Sequence, residues 1–417
     1  MIQGDKKTKK FLVIYPYRFN DFLWKLLELD EISEFAEVVV WDISLISSAR
    51  FSRGLQGKRT PRNEIITFKS LADFNRQLKK LLSELNRQDV CILNEVGKTS
   101  FRNFLINLML SIKFYKKDLK IFDLYNGGVP LHYTSEITDF KRKSHLSSLI
   151  LTIRESSNPA EFLQKLFAFI FGKVDNLLPK ILTHRLVAGE VWLTEASKNI
   201  GLGVQIVKGH SHDYSQYLRV VKSAEKQNGI HSVTLLDGAG PYSQSDSLLT
   251  RRSVFFSSEV WYPALSNFFD FLEGEQKVKI RIAGHYKTSY ESSSELFGGR
   301  EVIYGQTPEL VESSQFVLTR MSTAVSFAVL YRKPILFIYS DQLLKDSEFM
   351  GHILGFSALL GTYPINIDHF PKNINPYLKV NEKLYEQYIH DVLTSKPLGE
   401  PNYEIILKDI MGIKVVD

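Results

Sequence analysis

Short apolar runs alternate with amphipathic stretches along the first third of the chain. The apolar runs predict buried strands and are "FLVIYPY" (11–17), "AEVVVWDIS" (36–44), "DVCILNE" (89–95) and "LKIFDLYNGG" (119–128). Stretches with apolar positions at helical spacing follow the runs, at 21–35, 70–88 and 100–118. Strands that alternate with helices indicate a parallel sheet with helices on both faces.

The pattern changes between about 135 and 200. This stretch is predicted to be helical, with breaks at Pro159 and Pro179, and it carries basic residues beside an apolar face. One interpretation is a helical insertion packed on the sheet. The other is a surface, within about 140–190, that rests on a membrane or docks a lipid-linked acceptor.

A second alternating unit begins near residue 231. Its strands are expected at 231–236, 278–287, 301–305, 315–319 and from 334 onwards, and a helix is expected at 323–331. Because 417 residues are too many for one ordinary core, two domains are expected. The sequence therefore predicts an α/β protein with two Rossmann-like domains, 1–225 and 226–395, that face a central cleft. The tail, 396–417, is expected to return to the first domain.

Charge and cysteine content narrow the possible partners. The net charge is +6, from 52 basic and 46 acidic residues, which favours an anionic ligand or a membrane surface and does not require nucleic acid. The single cysteine, Cys91, excludes an intrachain disulfide and a cysteine-rich metal site. The apolar run near the N-terminus is too short for a signal peptide, and no run reaches the ~18 apolar residues of a membrane span. A cytoplasmic protein is expected, with peripheral contact at the inner membrane face as a hypothesis.

The stretch "LTRMSTAVSFAVL" (318–330) joins a strand end directly to an apolar helix. Backbone N–H groups at a helix start favour an anion, and Ser322 and Thr323 add hydroxyl donors there. Arg320 adds a fixed positive charge. The alternative is that Ser322 only caps the helix.

Two neighbouring strand ends carry further candidates for nucleotide or phosphate binding. In "GQTPEL", Gln306 and Thr307 precede a helix start, with Thr307 as the expected N-cap, and Glu309 can accept ribose hydroxyls. In "IRIAGHYK", His285 can hydrogen-bond a phosphate oxygen and Lys287 can neutralise it. The alternatives are that Glu309 only stabilises the N-terminus of its helix and that His285 is hydrogen-bonded to a neighbouring loop.

The stretch "LLDGAG" places Asp237 at the end of the first strand of the second unit, where it can take a proton from an attacking hydroxyl. The alternative is an Asp-Gly turn. On the first domain, Arg18, Asn20 and Asn126 follow strand ends and are the candidates for the acceptor side of the cleft.

Other motifs are rejected or left as structural. "VGKTS" (96–100) lacks the first glycine of a P-loop because Ile92 stands there. "GHSHDY" (209–214) has the residue types of a metal site, but a polar loop is favoured because no downstream ligands accompany it. No Asp-x-Asp pair occurs, and no metal or other cofactor is expected.

The run from 280 to 338 resembles the C-terminal domain of two-domain bacterial glycosyltransferases of surface-polysaccharide clusters, which have the GT-B fold. The acidic-Gly turn, the histidine after a strand and the Ser-Thr pair also resemble motifs of bacterial sialyltransferases and polysialyltransferases. This chain departs from those motifs at Leu236, where the family has an acidic residue, and at Tyr286, where it has proline.

The resemblance implies a nucleotide sugar as one partner and a glycan or glycolipid as the acceptor. It implies Asp237 as the general base, His285 as a partner of the leaving phosphate, and Ser322 with Thr323 as a phosphate cradle. The expected activity is inverting, metal-independent transfer of a sugar in surface-polysaccharide or lipopolysaccharide synthesis. The donor sugar that the resemblance favours is a CMP-activated nonulosonic acid. Three alternatives stay open: a Kdo or hexose transferase, a nucleotide-sugar epimerase or hydrolase, and a non-enzymatic carbohydrate- or membrane-binding assembly protein.

Overall fold

The fold is that of a computed structural model of the chain. It describes residues 9–47, 62–84, 90–97, 101–115, 119–125, 181–199, 203–223, 231–238, 240–242, 256–285, 295–396 and 399–415. Most of the predicted insertion at 135–200, with Asn126, Tyr286 and Lys287, lies outside the described residues.

The first described sheet has seven strands, all paired in parallel, in the order β3-β2-β1-β4-β5-β6-β7. The first strand of the chain, third in this order, holds Phe11, Leu12, Val13 and Ile14 at 0% exposure, because helices cover both faces. The strands are β1 Lys10–Tyr15, β2 Glu37–Asp42, β3 Ile65–Thr67, β4 Val90–Asn94, β5 Lys120–Tyr125, β6 His184–Val187 and β7 Gln205–Lys208.

The helices of this half follow the strands in the predicted alternation. They are α1 Asp21–Leu26, α2 Leu29–Ser33, α3 Leu71–Glu84, α4 Phe101–Phe114, α5 Glu190–Asn199 and α6 His212–Ser223. The helical prediction is wrong at His184–Val187, which forms the strand β6 between β5 and β7. The run "HRLV" has only four residues, and helix-compatible residues flank it, so it shows no strand periodicity in the sequence.

The second described sheet has six parallel strands in the order β10-β9-β8-β11-β12-β13. The strands are β8 Ser232–Leu236, β9 Lys279–Ala283, β10 Val302–Ile303, β11 Ser314–Thr319, β12 Ile335–Tyr339 and β13 Ile365–Asn366. The helices are α7 Ser258–Gln276, α8 Thr307–Glu312, α9 Val325–Leu330, α10 Ser347–Leu359, α11 Glu382–Tyr388 and α12 Asn402–Ile405. Two parallel sheets flanked by helices confirm the predicted α/β fold class.

The end of the chain packs against the first sheet. Helix α12 continues into a π-helical segment, Ile406–Met411, and Ile405, Leu407 and Ile410 are each 0% exposed. These side chains belong to the same apolar cluster as Phe11 and Val13 of the first sheet. The segment just before it, up to Leu393, packs with the second sheet, so the chain crosses between the two halves at about 394–401.

Helix α6 connects the two halves a second time. It follows β7 of the first sheet, but Tyr214 packs in the apolar cluster of the second sheet, with Tyr217 and Leu218 against it. In the described part of the chain, no helix is long and apolar enough to cross a membrane.

Candidate functional site

A cavity of about 400 Å³ lies between the two halves. Helix α1 of the first half forms one wall, helix α6 closes the base, and the ends of four strands of the second sheet form the opposite wall. The polar and charged side chains that line it are Asp21, Lys25, Asp213, Gln216, Asp237, His285, Tyr304, Thr307, Ser322 and Thr323.

The order of the second sheet explains why distant residues meet in this cavity. Strands β10, β9, β8 and β11 are parallel neighbours, so their carboxyl ends share one edge. The residues just past those ends are Tyr304, His285, Asp237 and the Ser322–Thr323 pair. The structure thus brings together four side chains that the sequence marked as separate candidates, Asp237, His285, Ser322 and Thr323.

Asp237 is 7% exposed and is held by the strands on both sides of β8. Its backbone N–H donates to the carbonyl oxygen of Ala283 at 3.2 Å. On the other side, the Thr319 hydroxyl donates to the carbonyl oxygen of Leu236 at 3.4 Å. Asp237 therefore sits on a fixed part of the sheet edge, which suits a group that must meet a reacting atom.

Arg320 supports this strand end from behind and does not line the cavity, contrary to the expectation that it contacts a phosphate. Its guanidinium lies 5.0 Å from the ring centre of Phe256 and 4.9 Å from that of Phe349, and the residue is 3% exposed. One of its nitrogens donates to the carbonyl oxygen of Gly238 at 3.4 Å. The buried cation thus packs between aromatic rings and holds the turn after Asp237.

Ser322 and Thr323 form a tight turn before α9, which begins at Val325 and not at the predicted residue 323. The Ser322 carbonyl accepts from Val325 at 3.3 Å, and the Thr323 carbonyl accepts from Ser326 at 3.1 Å. The Ser322 hydroxyl oxygen accepts from the backbone N–H of Ala324 at 3.3 Å. Both residues line the cavity from this turn, so their hydroxyls lie before the helix and not in its first turn, where the sequence placed them.

Helix α8 contributes Thr307 and Pro308 to the cavity. Its N-cap is Gln306, so the prediction that Thr307 is the N-cap is wrong by one residue. Gln306 is exposed and does not line the cavity. Glu309 does not line it either. Glu309 is therefore not placed to bind a ribose in this cavity.

The first half contributes α1 rather than the residues expected on the acceptor side. Asn20 is the N-cap of α1, and its side-chain oxygen accepts from the Leu23 N–H at 3.0 Å. Arg18 does not line the cavity. The cavity is lined instead by Asp21, Phe22, Lys25 and Leu26. Their spacing of i, i+1, i+4 and i+5 places all four on one face of α1.

Asp213 at the base of the cavity was missed by sequence reasoning, which assigned 209–214 to a polar loop. His212 instead begins α6, and Asp213 is in its first turn. Burial raises the pKa of Asp213 to about 7. The apolar spacing of Tyr214, Tyr217 and Leu218 was the available signal for a helix here.

His210, from the same stretch, is buried at 0% exposure. Its ring nitrogens lie 2.7 Å from the Thr394 hydroxyl and 3.0 Å from the Glu400 carbonyl oxygen. Burial lowers the pKa of His210 to about 4, so the ring is neutral. Among the described residues, no group of three or more His, Cys, Asp or Glu side chains is arranged to hold a metal ion.

Neither a protein-family profile nor a curated protein sequence matches the chain. Solved structures are similar in fold. The wall teichoic acid polymerase TagF is 11% identical, with a TM-score of 0.51, and the match covers 97% of this chain and 90% of that one.

Two further similar structures are MnaA from S. aureus with UDP and a UDP-GlcNAc 2-epimerase from Methanocaldococcus jannaschii. MnaA is 11% identical, with a TM-score of 0.44, and the match covers 97% of this chain and 98% of MnaA. The epimerase is 11% identical, covers 91% and 98%, and has a TM-score of 0.38. At 11% identity, the similarity to TagF shows a shared fold and no more.

Proposed function

We propose that the chain is an inverting glycosyltransferase that moves a sugar from a nucleotide donor to a glycan or glycolipid hydroxyl. The observation that carries this proposal is the meeting of Asp237, His285, Ser322 and Thr323 around one cavity between the two halves. A carboxyl group, an imidazole and two hydroxyls around one space are the groups that such a transfer requires.

The proposed reaction forms one bond and breaks one. The acceptor oxygen attacks the anomeric carbon of the donor sugar from the face opposite the nucleotide, and Asp237 takes the proton that leaves this oxygen. The bond between the anomeric carbon and the phosphate oxygen breaks with its electron pair on the phosphate. His285, Ser322 and Thr323 donate hydrogen bonds to the charge that grows there. No metal takes part in this proposal.

The proposed donor is a CMP-activated nonulosonic acid, as the resemblance of the acidic-Gly, histidine and Ser-Thr motifs implies. Lys287 remains a proposed phosphate ligand, and Asn126 a proposed acceptor contact; both lie outside the described residues. The proposed setting is the inner membrane face, with the basic segment at 140–190, largely outside the described residues, as the contact.

A donor panel tests the proposal. Purified protein is incubated with CMP-, UDP- and GDP-sugars, with and without a glycan acceptor, and free nucleotide and product are both measured. The proposal predicts that one donor is consumed only when an acceptor is present. Equal consumption without acceptor identifies a hydrolase or an epimerase, and no consumption at all removes the enzymatic interpretation.

The variant Asp237→Asn tests the role of the base. We expect transfer to be abolished while nucleotide binding stays close to wild type, because the amide keeps the shape but cannot accept the proton. Asp341→Asn, at an exposed carboxylate after β12, is the matched control and should transfer normally. Full activity of Asp237→Asn would remove the assignment of the base.

A further inference from the structure

Lys25 is the only lysine or arginine among the described residues that line the cavity. It lies in the last turn of α1, on the wall opposite the strand ends that carry Asp237 and His285. Three carboxyl groups line the same space, those of Asp21, Asp213 and Asp237. In this part of the cavity, an anionic ligand therefore has one fixed cation to bind, and without that cation it is repelled by carboxylates.

The carboxylate that is spaced to pair with Lys25 is held by another residue. Asp21 lies four residues before Lys25, the spacing at which opposite charges pair on a helix. Instead, the Arg62 Nε donates to an Asp21 carboxylate oxygen at 3.1 Å. Arg62 also lies 3.7 Å from the Asp30 carboxylate, and its guanidinium carbon lies 4.4 Å from the ring centre of Trp24. Asp21 is thus paired with a cation that does not line the cavity.

The Lys25 side chain is exposed, and its ammonium makes no ion pair or hydrogen bond with any residue that the structure describes. The backbone at Lys25 is fixed, because its carbonyl oxygen accepts from the Glu28 N–H and from the Arg219 guanidinium, both at 3.1 Å. Arg219 belongs to α6 and forms an ion pair with Glu31 at 2.7 Å. An unpaired ammonium on a fixed backbone position at a cavity wall is arranged to bind an anion.

The geometry of the proposed reaction indicates which anion Lys25 meets. The phosphate is assigned to His285, Ser322 and Thr323 of the second half, and the acceptor to the first half. The donor sugar therefore lies between them and faces α1. In a nonulosonic acid, the anomeric carbon carries a carboxylate as well as the phosphate oxygen. This carboxylate would lie close to the general base Asp237, so its binding requires a cation nearby.

We propose that Lys25 binds the carboxylate of the donor sugar and so selects donors that are negatively charged beside the reacting carbon. This inference rests on the proposed function of the cavity. The ammonium donates hydrogen bonds to the carboxylate oxygens and offsets the repulsion between this carboxylate and Asp237. A neutral sugar cannot make this contact and leaves the ammonium without a partner, which disfavours the neutral donor.

Calorimetric titration of the full chain separates binding of the nucleotide from binding of the sugar. The ligands are CMP, CMP-N-acetylneuraminate and UDP-glucose. In Lys25→Met, we expect the affinity for CMP-N-acetylneuraminate to fall by about tenfold or more, because a hydrogen bond between charged groups is lost, and the affinity for CMP to change by less than about twofold. Lys25→Arg keeps the charge and should retain most of the affinity for the acidic donor. Lys79→Met, at an exposed lysine on α3, is the matched control and should bind all ligands as the wild type does.

The outcomes separate this inference from the proposed function. Equal losses of affinity for CMP and for CMP-N-acetylneuraminate in Lys25→Met would place the ammonium on the phosphate and overturn the inference. Unchanged affinity for the acidic donor in this variant would overturn it as well. Tighter binding of UDP-glucose than of CMP-N-acetylneuraminate by the wild type would also overturn it, but would leave sugar transfer from a nucleotide donor in place.

Two further points complete the test. Lys25→Gln repeats the measurement if Lys25→Met does not fold, because glutamine also removes the charge. Absence of binding by every nucleotide and nucleotide sugar would overturn this inference together with the proposed function.

Discussion

The hydroxyl oxygen of Ser215 lies 2.7 Å from the backbone nitrogen of Asn402, which is 187 residues further along the chain. The Ser215 hydroxyl also donates to the carboxylate of Glu28, whose other oxygen accepts from the Tyr403 N–H at 2.7 Å. Glu28 is the N-cap of α2 and is 3% exposed, so one buried network joins the start of α2 to α6 and α12. This network therefore ties the end of the chain to the segment that follows α1.

Glu28 should make stability depend on pH. Burial raises its pKa in the folded protein to about 7 from an ordinary value of 4.5. Because the unfolded chain releases this proton first, the contribution of Glu28 to stability is full below pH 4.5 and is lost as the pH rises towards 7, by roughly 3 kcal/mol. Urea unfolding of the wild type and of Glu28→Gln across pH 4.5 to 8 measures this loss, and the decline should be smaller by that amount in the glutamine variant. Glu34→Gln, at an exposed position, should show the same decline in stability as the wild type. If Glu28→Gln shows that decline undiminished, Glu28 is not its source.

The tail should contribute directly to the first half's stability. Leu407 is 0% exposed in the cluster that contains Phe11, so Leu407→Ala is expected to cost about 2–5 kcal/mol in the free energy of unfolding. Asp409→Ala, two residues on and exposed, should change it by less than about 0.5 kcal/mol. Chemical denaturation compares the two. Equal, small effects would mean that the tail does not pack against the first sheet.

Gly284 should be required for the shape of the cavity rather than for folding. A Cβ atom at this position would lie 2.6 Å from the ring of Tyr304, which lines the cavity and is 42% exposed, so the ring must swing aside. We expect Gly284→Ala to weaken nucleotide binding by about tenfold, or 1.4 kcal/mol, with a small change in melting temperature.

The matched control is Gly274→Ala in α7, where a Cβ meets nothing within 4 Å. Alanine is favoured over glycine inside a helix by about 1 kcal/mol, so this variant should gain slightly in stability and bind as wild type. Calorimetric titration with CMP, UDP and GDP compares the two proteins. Unchanged affinity in Gly284→Ala would place the ligand elsewhere.

The sequence predicted most strands of both sheets because they are buried on both faces and read as continuous apolar runs, as at Phe11–Ile14. It did not predict β3, β7 and β13, which lie at sheet edges and have only two to four residues. It also predicted the convergence of Asp237, His285 and Ser322, because the carboxyl ends of parallel strands lie at one edge of the sheet for any conformation of the loops. Strand β6 was missed because four residues are too few to show a period.

The parts of the site that depend on tertiary contacts were not predicted. Arg320 looked like a phosphate ligand because its charge is visible in the sequence, but the packing of Phe256 and Phe349 around it is not. Asn20 looked like a cleft residue, but a side chain at that position caps the helix that follows. Asp213 was missed because only the crossing of the tail and the packing of α6 bring it to the cavity.

A calorimetric titration of CMP, UDP and GDP into the wild-type protein and the double variant Ser322→Ala/Thr323→Val tests whether the cavity holds the phosphate of a nucleotide. Because a hydrogen bond to a charged group contributes about 1.5–3 kcal/mol, we predict that one nucleotide binds the wild type and that the double variant loses a hundredfold or more in affinity. Ser33→Ala, on the exposed side of α2, should bind as wild type. If the double variant binds as tightly as the wild type, or if the wild type binds none of the three nucleotides, this cavity does not hold the phosphate of a nucleotide donor.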